Sequence, residues 1–226
     1  MNFEKYIKML KAMLDGSVVS LEVFFLTLLF AIPLALPIAM GRMSKNKLLS
    51  CSTNVFLLII RGTPLMLQLL VVYFGPGIFV RWLNNMGYEV AFAWNRFTAA
   101  IIALSINYSA YFAEIYRGGI ESIPKGQYEA AKVLGFTPVQ TFFKIVLPQV
   151  IKRIVPAMGN EVITLVKDTS LAFVLTYEEM FTVAKQIAAA KTTIMPLFVA
   201  GVFYFIFNFV VATVMEQLEK KLSYYR

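Results

Sequence analysis

Five stretches of this chain are long and apolar enough to cross a lipid bilayer, and that leaves few folds open to it. A spanning helix needs about 20 predominantly apolar residues. Val18–Met40, Val55–Val80, Phe97–Ile115, Ile154–Leu175 and Met195–Met215 meet that length. Hydrocarbon offers no hydrogen bonds, so every backbone amide and carbonyl must find a partner within the chain, and a helix does this segment by segment. The expectation is an all-α membrane protein with five transmembrane helices. Composition agrees: 59% of the 226 residues are hydrophobic and the mean hydropathy is +0.70, against about 45–50% apolar in a soluble domain. A soluble fold of this size could not hide so many apolar side chains from water.

Residues 17–215 form the expected transmembrane domain, between an N-terminal segment (1–16) and a short tail (216–226). In the first segment Phe3, Ile7, Leu10 and Leu14 recur at three- and four-residue steps. That spacing predicts an amphipathic helix lying on the outer surface. No cleavable signal peptide is expected, because the segment is charged throughout and the following apolar stretch is long enough to span. Pro33 and Pro37 predict a bend in the first span, while Arg61, Pro64 and the Gly75-Pro76-Gly77 turn interrupt the second.

Five crossings place the two ends on opposite sides. Lys and Arg in segments 41–54, 114–153 and 216–226 outnumber those on the other face twelve to seven. The excess of positive charge marks the cytoplasmic side, so the N-terminus is expected outside and the C-terminus in the cytoplasm. The net charge of +8 is scattered between apolar runs and forms no basic face, so no nucleic acid is expected as a partner. A single cysteine, Cys51, excludes an intrachain disulfide and a multi-cysteine metal site. The absence of histidine removes histidine-based nucleophile or zinc chemistry.

The longest inner segment, Glu114–Arg153, is too long and polar for a simple turn. Pro124 and Gly126 precede a helix-forming run, Gln127–Leu134, which Gly135 can end. Thr137 and Pro138 restart a helix in the N-cap and first-residue positions. The predicted product is a pair of short helices at an angle (124–148), with Ala130 and Ala131 as a smooth surface and Glu129 at its edge. From spacing alone this is either a bare re-entry hairpin or a docking surface for another protein.

The sequence EAAKVLGFTPVQTFFKIVLP, residues 129–148, goes further. Glu-Ala-Ala, three residues, Gly, nine residues, then Ile-x-Leu-Pro resembles the EAA signature of ABC-importer permeases. Each of its positions is met, by Glu129, Ala130, Ala131, Gly135, Ile145, Leu147 and Pro148. RGTPLMLQL (61–69), SAYFAEIYRGGIESIPKGQYEAA (109–131) and LVKDTSLAFV (165–174) are similar to motifs of one branch, the polar amino acid permeases of the histidine, arginine and glutamine type. The resemblance runs over about residues 17–215. It implies the type I importer permease fold in a prokaryotic inner or plasma membrane. It also implies a second permease subunit, identical or closely homologous, and two ABC ATPase subunits that receive the Glu129–Gly135 helix. An extracytoplasmic solute-binding protein and an amino acid substrate complete the set. ATP and Mg would belong to the ATPase, and no cofactor is expected in this chain. Independently, no G-x-x-x-x-G-K-[ST] phosphate loop occurs in the sequence.

Gly159–Leu175 places Glu161, Lys167 and Asp168 inside an apolar run. An ionisable side chain at membrane depth costs about 2.5–3.5 kcal/mol on insertion scales and marks a pathway or site by default. Seven residues separate Glu161 from Asp168, so a helix puts them on one face with Thr164 close to it. Lys167 projects about 100° away, which disfavours a Lys167–Asp168 bridge. Two readings stand: bonds to neighbouring spans, or contact with a zwitterion. In the second, Lys167 takes the α-carboxylate, Asp168 the α-ammonium and Glu161 a basic side chain. Thr169 and Ser170 are placed to loosen the helix, as in broken transporter helices. Asn107 and Tyr108 in the third span either line the path or bond between helices. Arg61 is expected to be structural, pairing with Glu114 or another carboxylate, and Glu114 and Arg117, three apart, to bridge on the helix surface. An ion-gradient-driven transporter or channel is the alternative function, against which the absence of a convincing internal repeat counts.

Overall fold

The computed structural model describes residues 3–222. Arg226 of the charge count and the end of the tail lie outside them, as do the side chains of Phe3, Lys5 and Tyr6. Among the described residues the chain is helical throughout, without strands. α1 runs unbroken from Phe3 to Arg42. The N-terminal segment is thus the start of the first helix and not a separate one, which corrects the expectation from sequence. Nothing between Asp15 and Ser17 stops the helix, because Gly16 serves packing: a Cβ there would sit 3.1 Å from Met180 Cα. Met9 and Met13 are buried against Met180, Ala184 and Ala200, while Ile7, Leu10 and Leu14 remain exposed.

The second span is broken at Pro64, as expected, but not at the Gly75-Pro76-Gly77 turn. It consists of two helices, α2 (Lys47–Gly62) and α3 (Leu65–Asn85). Thr63 is extended, at φ −116° and ψ 148°, as the ring of Pro64 requires of the residue before it. The Gly75-Pro76-Gly77 turn, in contrast, is absorbed into α3. Pro76 cannot donate to the carbonyl of Val72, and the Trp94 indole N–H does so instead at 2.9 Å. A replacement donor keeps that helix whole.

α4 (Arg96–Glu121) is the axle of the bundle, with thirteen residues buried and faces against α1, α2, α3 and the fourth span. The inner loop follows as α5 (Lys125–Val133) and α6 (Pro138–Thr141), then a π-helical turn (Phe142–Val146) leading into α7 (Leu147–Asp168). The fourth span changes character at its end: Thr169–Leu175 is a 3-10 helix. α8 (Met180–Lys191), which the sequence did not announce, packs on α1 and precedes α9 (Met195–Leu222). Four described helices are both long and apolar enough to cross a membrane, namely α1 from Ile7 onward, α3, α4 and α9. α7 has the length, at 22 residues, but its charges lower its hydropathy.

Candidate functional site

Two groups of residues carry chemistry, one at membrane depth and one on the inner loop. In the first, α4 presents Asn107 and Tyr108 within the core, both nearly fully buried. The Tyr108 hydroxyl donates to Asp168 Oδ2 at 2.7 Å. The Asn107 amide donates to Gln68 Oε1 at 2.9 Å. Gln68 in turn donates to the Ile60 carbonyl (2.7 Å) and to the Thr63 carbonyl and hydroxyl (3.1 and 2.9 Å). Those carbonyls end α2 and would otherwise lack partners.

Asp168 closes α7, and the residues after it hold the 3-10 turn. The Thr169 hydroxyl donates to the Val166 carbonyl at 2.8 Å, and that of Ser170 to the Lys167 carbonyl at 2.7 Å. Glu161 and Asp168 are both half-buried, whereas Thr164 and Lys167 are exposed. The Thr164 hydroxyl turns back to the Asn160 carbonyl. Among the described residues the side chains of Glu161 and Lys167 make no hydrogen bond or ion pair, and no Lys167–Asp168 bridge forms. Arg61 stands 3.7 Å from Glu114 and over the Tyr111 ring, and Glu114 also holds Arg117 at 2.8 Å. The structure therefore brings Tyr108 to Asp168, sets Asn107 apart on Gln68, ties Thr164 to its own helix, and leaves the side chains of Glu161 and Lys167 uncommitted.

On the inner loop, Gly135 takes φ +78°. The Phe136 amide donates to the Ala131 carbonyl at 3.0 Å and that of Gly135 to Lys132 at 3.1 Å. This pair of bonds is a Schellman stop, which needs a left-handed residue and so favours glycine. Thr137 caps the next helix reciprocally with Gln140, and Pro138 opens it. Ala131 is buried, contrary to the smooth outer surface expected of it; the exposed face holds Glu129, Ala130, Val133 and Leu134, with Val133 87% exposed. The methyl of Ala131 faces inward, where a larger side chain would push the helix away. Ile145 and Leu147 are half-buried and Pro148 is exposed in the first turn of α7. Val146 between them packs with Ile123 and Val150.

Glu179 is a polar residue that sequence reasoning missed. It is fully buried and caps α8, accepting from the Phe181 and Thr182 amides (2.7 Å each) and the Thr182 and Tyr204 hydroxyls (2.8 and 2.9 Å). The Ser20 hydroxyl lies 3.5 Å away and accepts from the Met180 amide. Burial raises the carboxyl's pKa, and the hydrogen bonds from Phe181, Thr182 and Tyr204 oppose the rise. The one available signal was an acidic residue just before a helix-forming run. Tyr204 thereby ties α9 to the cap of α8. Among the described residues no group of His, Cys, Asp or Glu is placed to hold a metal ion.

Residues 31–224 match the family described as the inner membrane component of binding-protein-dependent transport systems. The chain belongs to that family. As a permease of this kind it is a membrane subunit and not an enzyme, and it works with a separate ATPase and a binding protein. It is 37% identical to the nopaline transport system permease NocM of Agrobacterium fabrum, over 97% of this chain and 91% of that one. Identity is 33% to the arginine ABC transporter permease ArtM of Haemophilus influenzae, over 97% and 95% of the two chains. To the histidine/lysine/arginine/ornithine permease HisM of Escherichia coli K12 it is 34%, over 91% and 87%. A crystal structure of an amino acid ABC transporter with histidines superposes with a TM-score of 0.84 at 30% identity, covering 98% of this permease and 99% of that chain. The fold is therefore that of ABC importer permeases.

Proposed function

We propose that this permease forms the translocation path of an ATP-driven importer for a polar, cationic L-amino acid. The observation that carries the reading is the pair Glu161 and Asp168, half-buried on one face of α7 with no cation among the described residues hydrogen-bonded to either. Seven residues apart, they stand about 10 Å along the axis at 1.5 Å per residue, a span an extended basic amino acid can bridge from its ends. Asp168 meets the α-ammonium with the oxygen Tyr108 leaves free, Lys167 meets the α-carboxylate, Glu161 meets the basic side chain, and Thr164 borders the path. Two of the relatives are named for basic amino acids, one for arginine and one for histidine, lysine, arginine and ornithine.

The working assembly holds two permease chains, two ATPase subunits that bind ATP with Mg, and an external solute-binding protein. The N-terminus is outside and the loop around Glu129–Pro148 faces the ATPases in the cytoplasm. Uptake of lysine, glutamine and cystine by the wild type and Glu161→Gln tests the substrate reading. Selective loss of lysine uptake is expected; an unchanged preference removes Glu161 from the path.

A further inference from the structure

Asn107 and Tyr108 are neighbours in sequence, yet each holds a different irregular helix. Asn107 reaches Gln68, whose amide closes the break between α2 and α3. Tyr108 reaches Asp168, where α7 ends and the 3-10 turn begins. Both lie in the most buried stretch of α4, with Tyr108 2% and Asn107 4% exposed.

We infer that Asn107 and Tyr108 are positioning residues for transport, a two-sided clamp that ties the break at Thr63-Pro64 and the unwinding at Asp168 to one rigid helix. Regular α-helix ends at both discontinuities, and both are anchored by adjacent residues of α4. A shift of α7 that pulls on Tyr108 therefore strains the Asn107–Gln68 bond. Losing that bond, in turn, lets the adjacent Tyr108 shift relative to Asp168. Breaking either pair leaves buried donors and acceptors unsatisfied at a cost, so the structure resists a movement of one break that displaces this part of α4 from the other. The clamp makes the broken spans move together, whichever solute passes.

The test reads each break from the far side of the clamp, in the full-length chain in its membrane, with Cys51→Ser removing the native thiol. One reporter thiol is placed at Met66 (Met66→Cys), in the first turn of α3, and another, in a separate chain, at Ser170 (Ser170→Cys), in the 3-10 turn. Their rates of reaction with N-ethylmaleimide are then compared. Tyr108→Phe should speed labelling at the Met66 site, and Asn107→Leu should speed it at the Ser170 site, by about threefold or more for one lost hydrogen bond. Gln68→Met cuts the same Asn107 bond from the opposite side and should also speed labelling at Ser170, which keeps the test open if Asn107→Leu fails to insert. Changes confined to the thiol nearest each lost bond, or seen at neither, overturn the clamp. No solute is needed, so the result stands apart from the substrate reading.

Discussion

At the scale of single residues, buried polar groups decide more than the exposed charges do. Glu179 satisfies four donors from α8 and α9, and its removal leaves them in a dry interior. Glu179→Ala is expected to cost about 2–3 kcal/mol, with Glu179→Gln milder because one acceptor oxygen remains. Thermal unfolding of the detergent-solubilised chain measures both; equal melting temperatures for wild type and Glu179→Ala would show that the cap does not hold α8. Gly119 is the tightest glycine, since a Cβ there would lie 2.2 Å from Ile154 Cγ2 and 3.2 Å from Val150 Cγ1. Gly119→Ala should destabilise the α4–α7 contact by about 1–3 kcal/mol. Adding Ile154→Ala should restore much of it, because the obstructing methyl is gone. Stability changes that simply add would place the clash elsewhere.

At the scale of elements, what the sequence made legible depended on whether the cause was local. Gly135, Thr137 and Pro138 stop and restart helices through bonds within five residues, and the structure has both features where those residues predict them. The two prolines of the second span behave oppositely for a reason no local pattern carries. Pro64 breaks the helix, whereas Pro76 does not because Trp94, 18 positions on, donates to the freed carbonyl. The same distance problem hid the 20–179–204 cluster and the partners of Asn107 and Tyr108, whose polarity was visible but whose direction was not. The spacing of Glu161 and Asp168 was readable because one helix holds both. Gly135 also carries this scale's prediction. Its φ of +78° makes a side chain there strained by about 1–2 kcal/mol, and its surroundings are open, so if the proposed ATPase docks on this loop the damage from a large residue falls on that partner. Gly135→Glu should abolish uptake while the ATPase still turns over and co-purifies. Normal substrate-stimulated uptake would remove the loop from the coupling path.

At the scale of the whole molecule, the fold distributes its apolar surface outward. Only Leu69 is buried on α3, and Val71, Phe74, Ile78 and Phe79 face away from the chain. Such a surface is stable only against lipid or a second apolar chain. Which way the bundle sits in the bilayer then decides whether the loop at Glu129–Pro148 meets an ATPase, and the chain carries its own reporter for this. Cys51 is the single cysteine and is exposed, one turn into α2 and close after Lys45 and Lys47. With the positively charged segments inward, a membrane-impermeant maleimide should label Cys51 in inside-out vesicles and leave it unreacted in intact cells. Cys51→Ser should abolish the signal in both. The crossing between Cys51 and the loop is fixed by α3 and α4, which go out and return, so the two features must share a side. Labelling from outside the cell would therefore carry the Gly135 knuckle to the outer face with it, away from any source of ATP.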